Sequence, residues 1–163
     1  MLIEGTNAVS VRLAVGGYQF ADPPGGWWDN NWLLVRGRVI CAEGEWAFED
    51  ACLTTSEAEQ LGDWLRAAAR GEVSPSTPSE DGSVFPDICF TDPDIALGVA
   101  EFDRALVRLR IHFSLAAAPP WAEEERRFVS HQFYLLVDMT GSDLVLAADE
   151  WQEDLRHFPL RSP

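Results

Sequence analysis

The stretch Val107-Arg108-Leu109-Arg110-Ile111-His112-Phe113-Ser114-Leu115 alternates without a break. Val107, Leu109, Ile111, Phe113 and Leu115 fall on one side, and Arg108, Arg110, His112 and Ser114 on the other. A period of two is that of a strand with one apolar face. We therefore expect a β-strand lying on a core with its arginine side solvated. Strand signals continue at 83–91, 95–103 and 128–139. Toward the amino terminus Val9, Val11, Leu13 and Val15 alternate with Ser10 and Arg12. In 31–42, Leu33, Val35, Val39 and Cys41 read as inward, Arg36 and Arg38 as outward. The Glu43-Gly44-Glu45 tip then leads into Trp46-Ala47-Phe48, which makes a hairpin.

From Thr54 to Arg70 the period changes. Ala58, Leu61, Trp64, Leu65 and Ala68 take helical spacing, and either Thr54 with Glu57 or Ser56 with Glu59 can form a capping box. Arg66 and Arg70 sit in the last turns, and Gly71 can take the left-handed stop. A second helix starts near Thr140 or Ser142, with Leu144, Ala148, Trp151, Leu155 and Phe158 on one face and Pro159 as its stop. Between the helix and the next strands, 72–82 reads as a mobile Pro/Ser loop. The elements predict one α+β domain over 1–163: a mainly antiparallel curved sheet of six to eight strands, with two helices, about 55–70 and 142–157, packed on it.

Charge narrows the function. The 163 residues carry 27 acids, 12 bases (all Arg) and a net charge of −15. DNA, RNA and anionic lipid need clustered positive charge, so these partners are disfavoured and a basic protein is favoured. Solubility is the plainer explanation of an acidic chain. The acid is nevertheless uneven, because 72–94 holds Glu72, Glu80, Asp81, Asp87, Asp92 and Asp94 and no base. Cys41, Cys52 and Cys89 read as reduced core thiols of a cytosolic protein. No basic leader or apolar run of span length is visible, so neither a signal peptide nor a membrane segment is expected.

Chemistry-bearing motifs are scarce. His112 reads as part of the solvated face, His131 as a hydrogen-bonded core residue, and His157 as complementing a helix terminus. The acid pairs Glu49-Asp50, Asp92-Pro93-Asp94, Glu123-Glu124-Glu125, Asp149-Glu150 and Glu153-Asp154 read as solvated faces. No cofactor or metal site and no catalytic residues are expected. Binding groups are more prominent: Trp27-Trp28-Asp29-Asn30-Asn31-Trp32 sets rigid aromatics beside short polar side chains. The plainer reading puts Trp28 and Trp32 in the core and Asp29-Asn30 in a turn. The candidate partner-binding residues are Trp27, Trp28, Asp29, Glu80, Asp81, Asp87, Asp92 and Asp94.

Asp29-Asn30-Asn31-Trp32-Leu33-Leu34-Val35, then Trp46 with Cys52-Leu53-Thr54-Thr55, then Leu61-Gly62-Asp63-Trp64-Leu65 and Phe158-Pro159-Leu160-Arg161 follow one another in an order that resembles the WapI-like immunity proteins of bacterial polymorphic toxin systems. The resemblance touches both ends and the middle; 72–94 lies outside its motifs. It implies a non-enzymatic cytosolic antitoxin that occupies a basic, often nuclease, toxin domain through an acidic surface, with no catalytic residue carried over. Two alternatives stand beside it. One is a small-ligand-binding or metal-dependent enzyme using Glu101, His112 and His131 in the mouth of the sheet. The other is a self-associating structural subunit, a homo-oligomer through an exposed strand or the Trp cluster.

Overall fold

The structure is a computed structural model and describes residues 1–22, 25–80, 82–103, 105–122 and 132–161, the side chain of Trp27 excepted. The chain forms β1 (Leu2–Glu4), β2 (Ser10–Tyr18), α1 (Trp27–Asn30), β3 (Trp32–Cys41), β4 (Gly44–Thr54), α2 (Thr55–Ala69), β5 (Ile88–Cys89) and β6 (Ile95–Asp103). There follow β7 (Leu106–Phe113), a 3-10 turn at Leu115–Ala117, β8 (Tyr134–Thr140) and α3 (Gly141–Leu155). The class is α+β and every ladder is antiparallel, as expected.

The expected single curved sheet is instead two four-stranded sheets, β1-β2-β3-β4 and β5-β6-β7-β8, each a meander in chain order. They meet at β1 and β8 without a ladder. β1 is only three residues long, and the turn beyond it takes over the edge of β8: Thr6 N donates to Asp138 O at 2.9 Å, and the Asn7 side-chain amide to Leu136 O at 2.8 Å. The turn thus satisfies carbonyls that a continuous sheet would pair. The inner faces of the two sheets share one core. Trp46 of β4 stacks edge-on against Phe113 of β7 and donates its indole N–H to Ala117 O at 2.9 Å.

Both long helices lie close to their expected bounds. Thr54 and Glu57 form the capping box: the Thr54 hydroxyl accepts from Glu57 N at 3.3 Å, and the Glu57 carboxylate accepts from Thr54 N at 2.8 Å. Gly71 ends α2 with φ +72°. Thr140 caps α3 by accepting from Asp143 N at 3.2 Å. Replacing Thr54 by alanine should cost about 1 kcal/mol, the usual worth of such a cap, measured as a drop in urea midpoint at constant slope. The loss should exceed that value if Glu57 also releases Thr91, whose amide it accepts at 2.7 Å.

Two strand expectations fail for physical reasons. The signal at 83–91 condenses to the two residues of β5, because Pro86 has no N–H to give. Asp87 accepts Val99 N at 2.7 Å through its side chain, where a strand carbonyl would otherwise serve. The polar side of β7 is solvated only at Arg108: Arg110 and His112, and Ser114 just beyond the strand, are buried. The loop after α2 crosses that face, and Arg110 donates to Ser76 O at 2.8 Å while Ser76 N donates to Val99 O at 3.0 Å. That loop, expected to be mobile, is thus tethered at Ser76. Cys89 corrects a third expectation, since it is exposed; Cys52 is buried and Cys41 half-buried. The strand signal at 128–131, the acid run 123–125, Asp81, His131 and the Pro23-Pro24 turn lie outside the described residues.

Candidate partner-binding surface

The tryptophan run forms a single helical turn, α1, inserted between β2 and β3. Trp28 remains 46% exposed, so it does not fill the core. Its ring is held edge-on to Trp32 at 5.9 Å between centroids, which fixes a large apolar group at the surface with little rotamer freedom left to lose. Asp29 beside it is exposed, whereas Asn30 and Asn31 are buried.

Of the acids in 72–94, Glu72 and Glu80 are exposed. Glu72 is paired with Arg70, which holds its carboxyl below the usual range. Asp87 is exposed but anchors Val99. Asp92 is half-buried and Asp94 only 1% exposed, so Asp94 cannot form part of an open face. The Asp94 carboxyl accepts from Ala116 N at 3.2 Å through Oδ1. No donor among the described residues reaches Oδ2.

The chain fold brings to Asp94 an acid that sequence reading placed elsewhere. Asp50 of β4 faces it, with Asp92 alongside and Glu57 of α2 close to Asp92. Burial, then the charges of Asp92 and Asp50, push the Asp94 carboxyl up to about 7. Burial, and then the charges of Asp94, Asp92 and Asp50, drive the Cys52 thiol far above its ordinary range, so Cys52 stays a neutral thiol. Glu57 is the exception. Burial works against its charge, but hydrogen bonds from Thr54 and Thr91 outweigh that and hold it below the usual range.

Of the three residues of the enzymatic alternative, Glu101 and His112 do not come together, and His131 lies outside the described residues. Glu101 is exposed and ion-paired with Arg108 at 3.2 Å, four residues along β7 from the buried His112, or about 13 Å at the rise of a strand. Among the described residues no three His, Cys, Asp or Glu side chains are placed to hold a metal ion. His157 meets Asp154 O at 3.3 Å just beyond α3, consistent with a role at that terminus.

A family model for the immunity protein WapI-like family matches residues 1–159. The chain belongs to that family. A search of curated proteins gave no match. No helix among the described residues is long and apolar enough to cross a membrane.

The segments that carry the likeness to the WapI-like family converge in space. Asn31 O accepts from Thr55 N at 2.9 Å, and the Asn31 side chain exchanges two bonds with the backbone of Arg161, at 3.0 Å and 2.8 Å. Arg161 then lies over the Tyr18 ring at 3.4 Å and donates to Phe20 O at 2.8 Å. Gly62 leaves room for Trp151, whose ring would stand 3.4 Å from an added Cβ. These residues build a clasp joining α1, α2 and the tail after α3. At Asn31, Thr55, Gly62 and Arg161 the motifs therefore report architecture.

Proposed function

We propose that this protein is a non-enzymatic binding protein, the cytosolic immunity partner of a basic toxin domain whose active site it covers. Membership of an immunity-protein family over residues 1–159 carries the reading. The acid-only stretch 72–94 and the exposed Trp28 support it. A nuclease cleft is basic because it must hold phosphate, and a protein of net charge −15 complements it. The surface would comprise Trp27, Trp28, Asp29, Glu80, Asp81, Asp87 and Asp92, with Trp28 as the rigid anchor and the carboxylates steering encounter.

The toxin domain encoded beside this gene should form a stable complex with the protein. Its association rate should fall at least 10-fold between about 50 mM and 500 mM salt, as steered association does. Trp28→Ala should raise the dissociation constant about 10-fold or more, the size of an interface hot spot. Calorimetry and stopped-flow fluorescence read both. Absence of a complex with that domain, or salt-independent association, removes the reading.

A further inference from the structure

Nine acids among the described residues meet an arginine or the amino terminus. Arg36 meets Glu49, Arg38 meets Glu45, Arg66 meets Asp149, Arg70 meets Glu72, Arg108 meets Asp138 and Glu101, and Arg156 meets Glu153. Arg110 is spent on Ser76 and Arg161 on the Tyr18 ring. Asp50, Asp92 and Asp94 form a contrast. They come from β4 and the β5–β6 loop, face one another, and have no cationic partner among the described residues. Glu57 faces the same group from α2, and the Cys52 thiol from β4. Each rim carboxylate uses one oxygen internally: Asp50 Oδ1 accepts from Ala51 N at 2.7 Å and Asp92 Oδ1 from Asp94 N at 3.1 Å. The buried Oδ2 of Asp94 has no donor among the described residues, and the Asp94 carboxyl is hydrogen-bonded to that of Asp50, so the two share a proton.

A buried acceptor without a donor is costly, and three carboxyls without a cation repel one another. A fold keeps such a group when something else completes it. The rim acids are half-buried and Asp94 behind them is buried, so a partner reaches the group from solvent at Asp50 and Asp92, which suits a single side chain better than an extended basic surface. A guanidinium offers five donors in a planar fork matched to paired carboxylates.

Resting on the immunity-partner reading, we propose that the Asp50–Asp92–Asp94 cluster is a socket for one arginine side chain of the partner protein, with Asp50 and Asp92 clamping the guanidinium and Asp94 as the charge behind it. On entry the proton shared by Asp94 and its neighbours leaves to solvent, and the incoming cation takes its place. Binding is therefore accompanied by proton release near neutral pH, and repulsion in the free protein is relieved in the complex.

The test uses the full chain and a hexa-arginine peptide, titrated by calorimetry at pH 7 and low salt. Asp50→Asn/Asp92→Asn should weaken the peptide at least 10-fold. Each asparagine keeps the oxygen that accepts the internal amide, and thermal unfolding confirms the fold. Asp94→Asn, which leaves the rim intact, should abolish the proton release, read from the dependence of the heat on buffer ionisation. Glu4→Gln/Glu59→Gln removes the same charge from exposed sites and should change affinity less than 3-fold. Equal weakening by the two double variants, or unchanged proton release in Asp94→Asn, overturns the socket. With the neighbouring toxin domain as ligand, a wild-type complex that Asp50→Asn/Asp92→Asn leaves equally tight also overturns it while the immunity reading stands. No wild-type complex removes the immunity reading, and the peptide titration still decides the socket.

Discussion

Trp151→Ala should lower the free energy of unfolding by about 4 kcal/mol, within the range for truncating a buried aromatic. Trp151 is fully buried between α3 and α2 and is among the largest side chains in the core. Its indole N–H donates to Ala58 O at 2.7 Å, and its ring lies against Gly62. Truncation opens a cavity at the seam of the two long helices, where neither can collapse. Both are tied down at their starts, α2 by the Thr54 box and α3 by Thr140. Their outer rim is also held, since Arg66 bonds Asp149 at 2.7 Å and Gln152 at 2.9 Å. Trp151→Phe fills most of the volume but gives up the N–H, and should cost about 2 kcal/mol. Urea unfolding of both variants checks the ranking. A loss below about 2 kcal/mol for Trp151→Ala shows that the helix seam relaxes and is not a keystone of the fold. Against the 5–15 kcal/mol typical of domains, the full loss leaves a marginal protein.

Local chemistry made much of this fold readable. The Thr54–Glu57 box, the apolar face of α2 and the alternation in β2, β3 and β7 each involve residues a few positions apart, and each took its expected form. The same holds for Arg36 and Arg38, which are exposed and pair across the hairpin with Glu49 and Glu45. What failed depended on distant segments. The alternation of 107–115 describes a strand with one apolar side, and β7 is such a strand, but whether its other side meets water depends on the loop after α2. That loop holds Arg110 through Ser76, while His112 lies against the Tyr134 ring of β8, and nothing within 107–115 records either contact. The division into two sheets has the same origin, because the turn at Thr6 and Asn7 ends the ladder and lies more than 125 residues from the strand it caps.

The site was legible to a similar degree. Trp28 and the acids of 72–94 stand out by residue type, and the structure leaves several of them exposed. The grouping of Asp50 with Asp92 and Asp94 was hidden, because Asp50 sits in a strand beside Glu49 and reads as half of a solvated pair. Alternation along β4 sends Glu49 out to Arg36 and Asp50 to the other face, and the packing of β4 near the β5–β6 loop then sets Asp50 beside Asp94. The clasp of Asn31 on Arg161 was hidden likewise. Asn31 read only as one of the short polar side chains beside the tryptophans, and its partner is 130 residues away.

Asp94→Asn should stabilise the protein at pH 8 by roughly 3 kcal/mol and by less than half that at pH 5. In the unfolded chain the carboxyl titrates near 3.8, and in the folded protein near 7. Below the lower value both states hold the proton and Asp94 costs nothing. Between the two, the folded state retains a proton that the unfolded state has released, so stability declines as pH rises, by about 1.4 kcal/mol per pH unit. Above pH 7 both forms are ionised and the penalty is complete. Asparagine removes that charge while its oxygen keeps the bond from Ala116 N, and its amide gives Asp50 a donor. Other acids repel one another in the same pH range, and Asp92 is itself raised by burial and by Asp50 and Glu57. The readout is therefore the difference between variant and wild type at each pH, in which the shared background cancels. A difference that stays constant from pH 5 to pH 8 shows that Asp94 is ionised throughout and that some other group relieves it. A difference that grows with pH shows that Asp94 holds its proton in the folded state, as a buried carboxyl does when no cation among the described residues meets it.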